Sequence, residues 1–340
     1  MKISDFTYDL PEELIAQHPP KVRGTSRLLV LDRQSGQIEH RRYPDFVDYI
    51  QPGDVVVLND TKVIKARLIA VNAKGQKREL LLLEDHHNTD FSKRRCLYRG
   101  SIKPGEILDV DGTPITITSV HEGGIAEVSA TVNLLDLAEH EGTVPLPPYM
   151  HREASAEDIK RYQTVFAKQA GSVAAPTASL NITKESLDAI VAKNATVVYL
   201  TLHVGLGTFL PIRTDKIEDH NMHSEYFEIP RSTVEAIQSA KAAERKVFAV
   251  GTTVARTLEY THKQLSAEPA GITGEANIFI YPGYKFQIVD GLLTNFHTPK
   301  STVLMLAAAF AGWDNLTEAY QEAIAVKYAF LSYGDSMLIL

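Results

Sequence analysis

Two short runs, LTLHVGLGTF at 200–209 and DHNMHSE at 219–225, bring three histidines, a pair of glycines and a carboxylate close together along the chain. An unperturbed imidazole titrates near neutrality, so His203, His220 and His223 are natural carriers of protons. His203 ends an apolar, β-branched run, ATVVYLTLHV, and precedes Gly205 and Gly207. Ligands of open α/β sheets bind beyond the carboxyl ends of strands, and glycine lets backbone come close to them. Gly205, Gly207, Thr208 and Phe209 are therefore candidate substrate contacts. GLG is not a dinucleotide fingerprint, which needs a third glycine and a following helix. A metal reading is weak as well. His220, His223 and Glu225 lack the H-E-x-x-H helix spacing, and MHSEYFEIP reads as a strand on which 223 and 225 share a face while 220 does not. No metal is expected. The plain alternatives are a tight turn around a hydrogen-bonded histidine and a surface loop.

Other stretches carry weaker signals. Strand KVFAV runs into Gly251, Thr252 and Thr253 and then a helix, an arrangement that offers backbone N–H groups to an anion or simply caps the helix. TNFHTPKST places Asn295, His297, Lys300 and Ser301 before a strongly apolar helix that Ser301 would cap. GSVAAPTASLNIT (171–183) is a run of small residues, suited to close approach or to tight packing. The obvious basic groups are HRR (40–42), Lys62, Lys65, Arg67, KRR (93–95) and Arg99. They would contact phosphates only if several converge.

The elements that must position these groups can be read from the pattern. The 340 residues suffice for one large domain or two ordinary ones. A formal net charge of −7 argues against indiscriminate attraction to nucleic acid, though not against a local basic patch. The single cysteine, Cys96, excludes a disulfide framework within the chain and fits the cytoplasm. The N-terminal run MKISDFTYDLPEELIAQ has acidic residues where a secretory signal needs an apolar core. VLMLAAAFAG (303–312) is too short to span a bilayer and reads as a buried helix.

RLLVL and QIEHRRY flank a turn and read as a hairpin. PDFVDYI reads as a short helix and DVVVLND as a buried strand. From 61 to 130 short β-rich runs follow one another, the mark of a small antiparallel barrel or sandwich. PLPPYM is a stiff connector. Helices and strands then alternate: SAEDIKRYQTVFAK, TKESLDAIVAKN with Thr183 as N-cap, a capping box of Ser232 and Glu235, and TVARTLEYTHKQL. The fold class expected is an α/β layered main domain, residues 1–60 and 145–340, with a small antiparallel β-barrel inserted at 61–144.

Taken in order, FTYDLPEELIAQHP, SRLLVLD, GDVVVLNDTKVIKARL, PLPPY, YQTVFA, GSVAAPT, TLHVGLGTFLPI, HNMHSEYFEIP, AVGTTVARTLE, TNFHTPKSTVLMLAAAFAG and SYGDSMLI resemble one family across nearly the full chain. It is the S-adenosylmethionine:tRNA ribosyltransferase-isomerase family of queuosine biosynthesis. The resemblance implies a cytoplasmic, monomeric enzyme. It would move the ribosyl part of S-adenosylmethionine onto the 7-aminomethyl-7-deazaguanine at a tRNA wobble position. Rearrangement would give epoxyqueuosine, with adenine and methionine released. S-adenosylmethionine is then a consumed substrate, and neither a cofactor nor a membrane partner is implied. Several proton transfers in one pocket call for His203, His223, Glu225 and His297. The matched segments offer Thr177, Asn181, Arg256, Asn295, Ser301 and Asp335 as further substrate contacts, and Lys62, Arg67 and Arg152 as RNA contacts. One departure bears on the chemistry. Where the family commonly reads Gly-Leu-His-Phe-Thr, this chain reads Ser179-Leu180-Asn181-Ile182-Thr183. An amide can hydrogen-bond but does not transfer protons near pH 7. A catalytically impaired tRNA-binding homologue is therefore the main competing reading, and a metal hydrolase built on the histidines a more distant one.

Overall fold

A computed structural model describes residues 1–83, 89–205, 212, 214–267 and 270–340. Gly207, Thr208 and Phe209 lie outside that set. The core is a nine-stranded sheet whose strands run, from one edge to the other, Ile272–Ala276, Glu225–Ile229, Thr196–Leu202, Val55–Asn59, Val247–Val250, Gly291–Asn295, Ser336–Ile339, Arg27–Leu31 and Ile38–Arg42. The four strands from Thr196–Leu202 to Gly291–Asn295 are parallel; Ser336–Ile339 runs against them.

The central strands are near-continuous apolar runs because both faces are covered. Alternate residues of one strand serve opposite layers. Val55 and Val57 join Leu200, Ala249 and Leu292 under helices Arg231–Ala242, Thr252–Tyr260, Thr302–Ala311 and Trp313–Ala325. Val56 and Leu58 join Phe248, Val250, Leu293 and Leu338 beneath the 3-10 turn Tyr43–Tyr49 and helix Lys184–Ala192. Thr302–Ala311, the apolar helix, is core, and no helix among the described residues is long and apolar enough to cross a membrane.

The chain leaves this sheet at Asn59 and re-enters it at Thr196 on the neighbouring strand. In between, six antiparallel strands, Arg67–Asn72, Lys77–Leu82, Lys93–Arg99, Ile107–Val110, Thr113–His121 and Ile125–Ala130, close into a barrel. Leu68, Leu80, Ile115, Ile117 and Val128 fill it together with Cys96, whose thiol is pushed up to about 12 by burial. A two-stranded parallel ribbon, Thr61–Val63 with Gln169–Ser172, bridges barrel and sheet.

Thr183 and Ser301 cap their helices, accepting from Ser186 N and Leu304 N. Three local expectations are corrected. Only Ala156–Arg161 of the run 155–168 is helical, because Tyr162 turns into the core and the Gln163 amide bonds both backbone groups of Val63 instead. Ser232 and Glu235 form no capping box. The helix starts at Arg231 after Pro230, and Glu235 accepts from Arg231 Nε at 2.7 Å. The strand expected over MHSEYFEIP begins only at Glu225, so His223 precedes it and shares no strand face with Glu225.

Candidate active site

The parallel strands stop along one edge, at Asn59, Leu202, Val250 and Asn295. The residues at and just beyond those ends are polar. Asn59 ties two of them together: its amide donates to the Leu202 carbonyl at 2.9 Å, and its Oδ1 accepts from Leu202 N at 3.0 Å and from Thr61 N at 3.1 Å. Thr61, so held, places its Oγ1 2.7 Å from Nδ1 of His203. The His203 ring stacks on Tyr226, centroids 6.1 Å apart. The backbone of residue 171 lies against the ring on the space that only a glycine leaves. A Cβ there would lie 2.9 Å from the ring. The small residues of 171–183 thus admit a histidine at their first position.

Glu225 starts the strand beside His203. Its Oε1 accepts from Gly205 N at 3.0 Å, and Oε2 pairs with the Arg256 guanidinium. Both side chains are buried. Burial pulls Arg256 down to about 10, still above physiological pH. The pair fixes the backbone two residues after His203. Arg256 comes from helix Thr252–Tyr260, whose N-cap is Gly251 at φ +101°, a conformation that favours glycine.

Further along the edge Thr177 Oγ1 donates to Asn295 Oδ1 at 2.8 Å. Asn295 Nδ2 and the hydroxyls of Ser179, Thr253 and Ser336 are buried without a hydrogen-bond partner among the described residues. Ser336 is the register partner of Asn295. Each such orphan costs about 1–3 kcal/mol, which a bound polar molecule would offset.

His297 is placed differently. Its Nε2 lies 2.8 Å from Thr294 Oγ1, its N–H donates to Tyr320 Oη at 2.9 Å, and its carbonyl accepts from Tyr8. A strip of it reaches solvent, but the protein packed around the ring pushes its pKa down to about 3. His220 meets Phe279 edge-on, and burial, then the charge of His223, lowers its pKa. Among the described residues no three His, Cys, Asp or Glu side chains gather as a metal site.

Comparison with known proteins decides what this edge belongs to. The model of a family described as "Queuosine biosynthesis protein" matches residues 3–339. The S-adenosylmethionine:tRNA ribosyltransferase-isomerases of Chlorobaculum parvum and Pelodictyon phaeoclathratiforme are each 52% identical over the whole of both chains. The chain belongs to the S-adenosylmethionine:tRNA ribosyltransferase-isomerase family. A crystal structure of the S-adenosylmethionine tRNA ribosyltransferase of Thermotoga maritima is 35% identical, with a TM-score of 0.58 over 99% of this chain and 100% of that one.

Within this family member the remaining candidates fall into separate places. Asp335 spends its oxygens on Arg27 and on Ala329 N, where it latches the last strand. Ser301 caps a helix. Arg67 lies 3.4 Å from Glu79 and donates to the Leu146 carbonyl, and Arg152 forms a two-pronged pair with Asp158. Both cations are thus committed inside the molecule, while Lys62 is exposed on the ribbon. Asn181 is buried and donates weakly to the Gly334 carbonyl at 3.5 Å. It lines a crevice with Pro19, Pro20, Arg161 and Tyr333, away from the bonds that hold His203. An open crevice of about 420 Å³ lies against Arg27, His40 and Tyr328, away from His203. Asn59 and Thr61 escaped the sequence reading. Their signal was NDT directly after a buried strand, polar residues at a carboxyl end.

Proposed function

We propose that this chain transfers and rearranges the ribosyl moiety of S-adenosylmethionine onto 7-aminomethyl-7-deazaguanine at a tRNA wobble position, giving epoxyqueuosine and releasing adenine and methionine. The observation that carries the reading is a titratable His203, held by Thr61 beside the Glu225–Arg256 pair, at the strand ends of a chain that matches its family from end to end.

The reaction removes a proton from carbon beside the sulfonium, supplies one to departing adenine, and removes one from the attacking amine. We assign proton transfer to His203. Glu225 has both oxygens occupied, so it positions the Gly205 backbone and Arg256 rather than moving a proton. Gly205, Gly251, Thr252, Thr253, Thr177 and Asn295 offer backbone and side-chain groups to the nucleoside and to the methionine carboxylate, and the helix N-terminus favours that carboxylate. His223 is half-buried and close enough to His220 to lower that residue's pKa, and we assign it no proton transfer. His297, with a pKa near 3, stays neutral and anchors Tyr8 and Tyr320. S-adenosylmethionine is consumed, and we assign no cofactor. We place the protein in the cytoplasm with its tRNA, as a monomer.

The test is incubation with S-adenosylmethionine and tRNA bearing the aminomethyl base, followed by nucleoside mass spectrometry. Epoxyqueuosine with stoichiometric adenine is the expected result. Bound but unmodified tRNA would instead favour the impaired homologue.

A further inference from the structure

Two of the arginines expected to touch RNA, Arg152 and Arg67, are paired with carboxylates within the fold, Asp158 and Glu79. In the crevice beside Tyr328, Arg27 pairs with Asp335 and Arg41 with Glu39. Arg23 and Arg161 are held chiefly by backbone carbonyls instead. Arg23 donates from Nη1 to the Leu180 carbonyl at 2.5 Å and from Nη2 to the Gln163 carbonyl at 2.9 Å. Arg161 donates from Nη2 to the Pro20 carbonyl at 2.7 Å and from Nη1 to the Lys21 carbonyl at 3.5 Å. All four acceptors are neutral. Among the described residues no carboxylate pairs with Arg23, and Glu157 approaches Arg161 only to 3.8 Å from a largely exposed position. Asp158, one turn away, is committed to Arg152, Ser155 and Tyr333. The two guanidiniums feel each other: burial first, then the charge of Arg161, lowers the pKa of Arg23. Holding like charges together is unfavourable unless an anion joins them.

We propose that Arg23 and Arg161, flanked by the exposed Lys21, contact a backbone phosphate of the bound tRNA, and that Lys62 on the adjoining ribbon contacts a second. The two contacts are physically linked. Gln163, whose carbonyl holds Arg23, also bonds both backbone groups of Val63. Val63 shares its three-residue strand with Lys62, which points outward, and with Thr61, which points inward to His203. A strand threaded across Arg161, Arg23 and Lys62 therefore arrives beside the proton-carrying histidine. A small carboxylate ligand fits less well, because the crevice under Arg161 holds about 10 Å³, the room of one water. Two partly exposed guanidiniums suit a phosphate that approaches from outside instead.

This inference rests on tRNA being the substrate, so the experiment separates the two. Binding of tRNA carrying 7-aminomethyl-7-deazaguanine to the full chain is measured by anisotropy across a salt series, alongside turnover. Arg161→Gln, Arg23→Gln and Lys62→Gln should each weaken binding and flatten the slope of log K against log salt by about 1, while Arg161→Lys keeps the slope. The KM for S-adenosylmethionine should not move. Arg161→Gln carries the result if loss of the Arg23 bonds prevents folding. A wild-type slope and affinity in folded Arg161→Gln and Lys62→Gln, with turnover intact, would overturn the placement alone. A wild-type protein that shows no salt-dependent tRNA binding would overturn the placement and the substrate together.

Discussion

Two histidines stand near the carboxyl ends of parallel strands in one sheet, and their surroundings differ. His203 follows Thr196–Leu202 and His297 follows Gly291–Asn295. Both touch a threonine hydroxyl, Thr61 and Thr294. The difference lies in what surrounds that bond. Around His203 sit a backbone amide held by a carboxylate and a charged guanidinium, groups that respond to charge in a ligand. Around His297 sit the rings of Tyr8 and Tyr320, bound to its backbone, and burial, which His203 shares at 4% exposure, pushes the His297 pKa to about 3. A histidine four units below neutrality is a feeble base, and its cation is scarcely populated. The two share a position on the edge; the charged neighbours are the ground on which we propose His203, and not His297, as the proton carrier.

The largest expected effect breaks the comparison on the catalytic side. His203→Ala should lower the single-turnover rate by about 10²–10⁴ with both substrates saturating, as loss of a general acid or base does, while the melting curve stays cooperative. A folded variant at the wild-type rate would return His203 to the status of a turn residue, equal to His297.

The next effect is on stability and belongs to His297. Its pKa falls from 6.5 in the unfolded chain to about 3 in the folded one. Between those values the unfolded state binds a proton that the native state does not, so stability drops as pH falls. Acidification from pH 7 to pH 5 should cost about 2 kcal/mol through this one group. Urea midpoints at the two pH values, for wild type and His297→Gln, read it directly. The variant should show the smaller pH dependence. An equal drop in both proteins would mean that His297 titrates normally.

Sequence patterning made the α/β sheet, the inserted barrel and the position of His203 legible, because apolar runs, turn residues and glycines act locally. The VVVLN strand is buried on both faces and reads so; the barrel strands announce themselves by punctuation. Where contacts are distant, the pattern was silent or misled. TVFAK extends the helical text of 155–161, yet Gln163 is drawn off by the backbone of Val63, a hundred positions earlier. Arg152 and Arg67 look like free cations in sequence because Asp158 and Glu79 become their partners only on folding. Arg23 and Arg161 look unremarkable for the converse reason. The same limit hid Thr61, a residue with no motif of its own until the ends of two strands meet.

The finest test therefore concerns Thr61. Its hydroxyl either donates to Nδ1 of His203 or accepts from it, and that choice sets which proton state the ring offers at Nε2. Thr61→Val keeps the shape and removes the bond. A buried ring nitrogen left without its partner costs about 1–3 kcal/mol, so turnover should fall about tenfold, less than in His203→Ala, and the pH–rate profile should shift. Thr61→Ser restores a hydroxyl and should recover most of the rate and the original profile. Thr294→Val removes the corresponding bond from His297 and should leave the pH–rate profile in place. If Thr61→Val and Thr294→Val behave alike, the two histidines are held for the same structural reason, and the distinction between them fails. If Thr61→Val alone moves the profile, the threonine is a positioning residue that fixes the proton on His203.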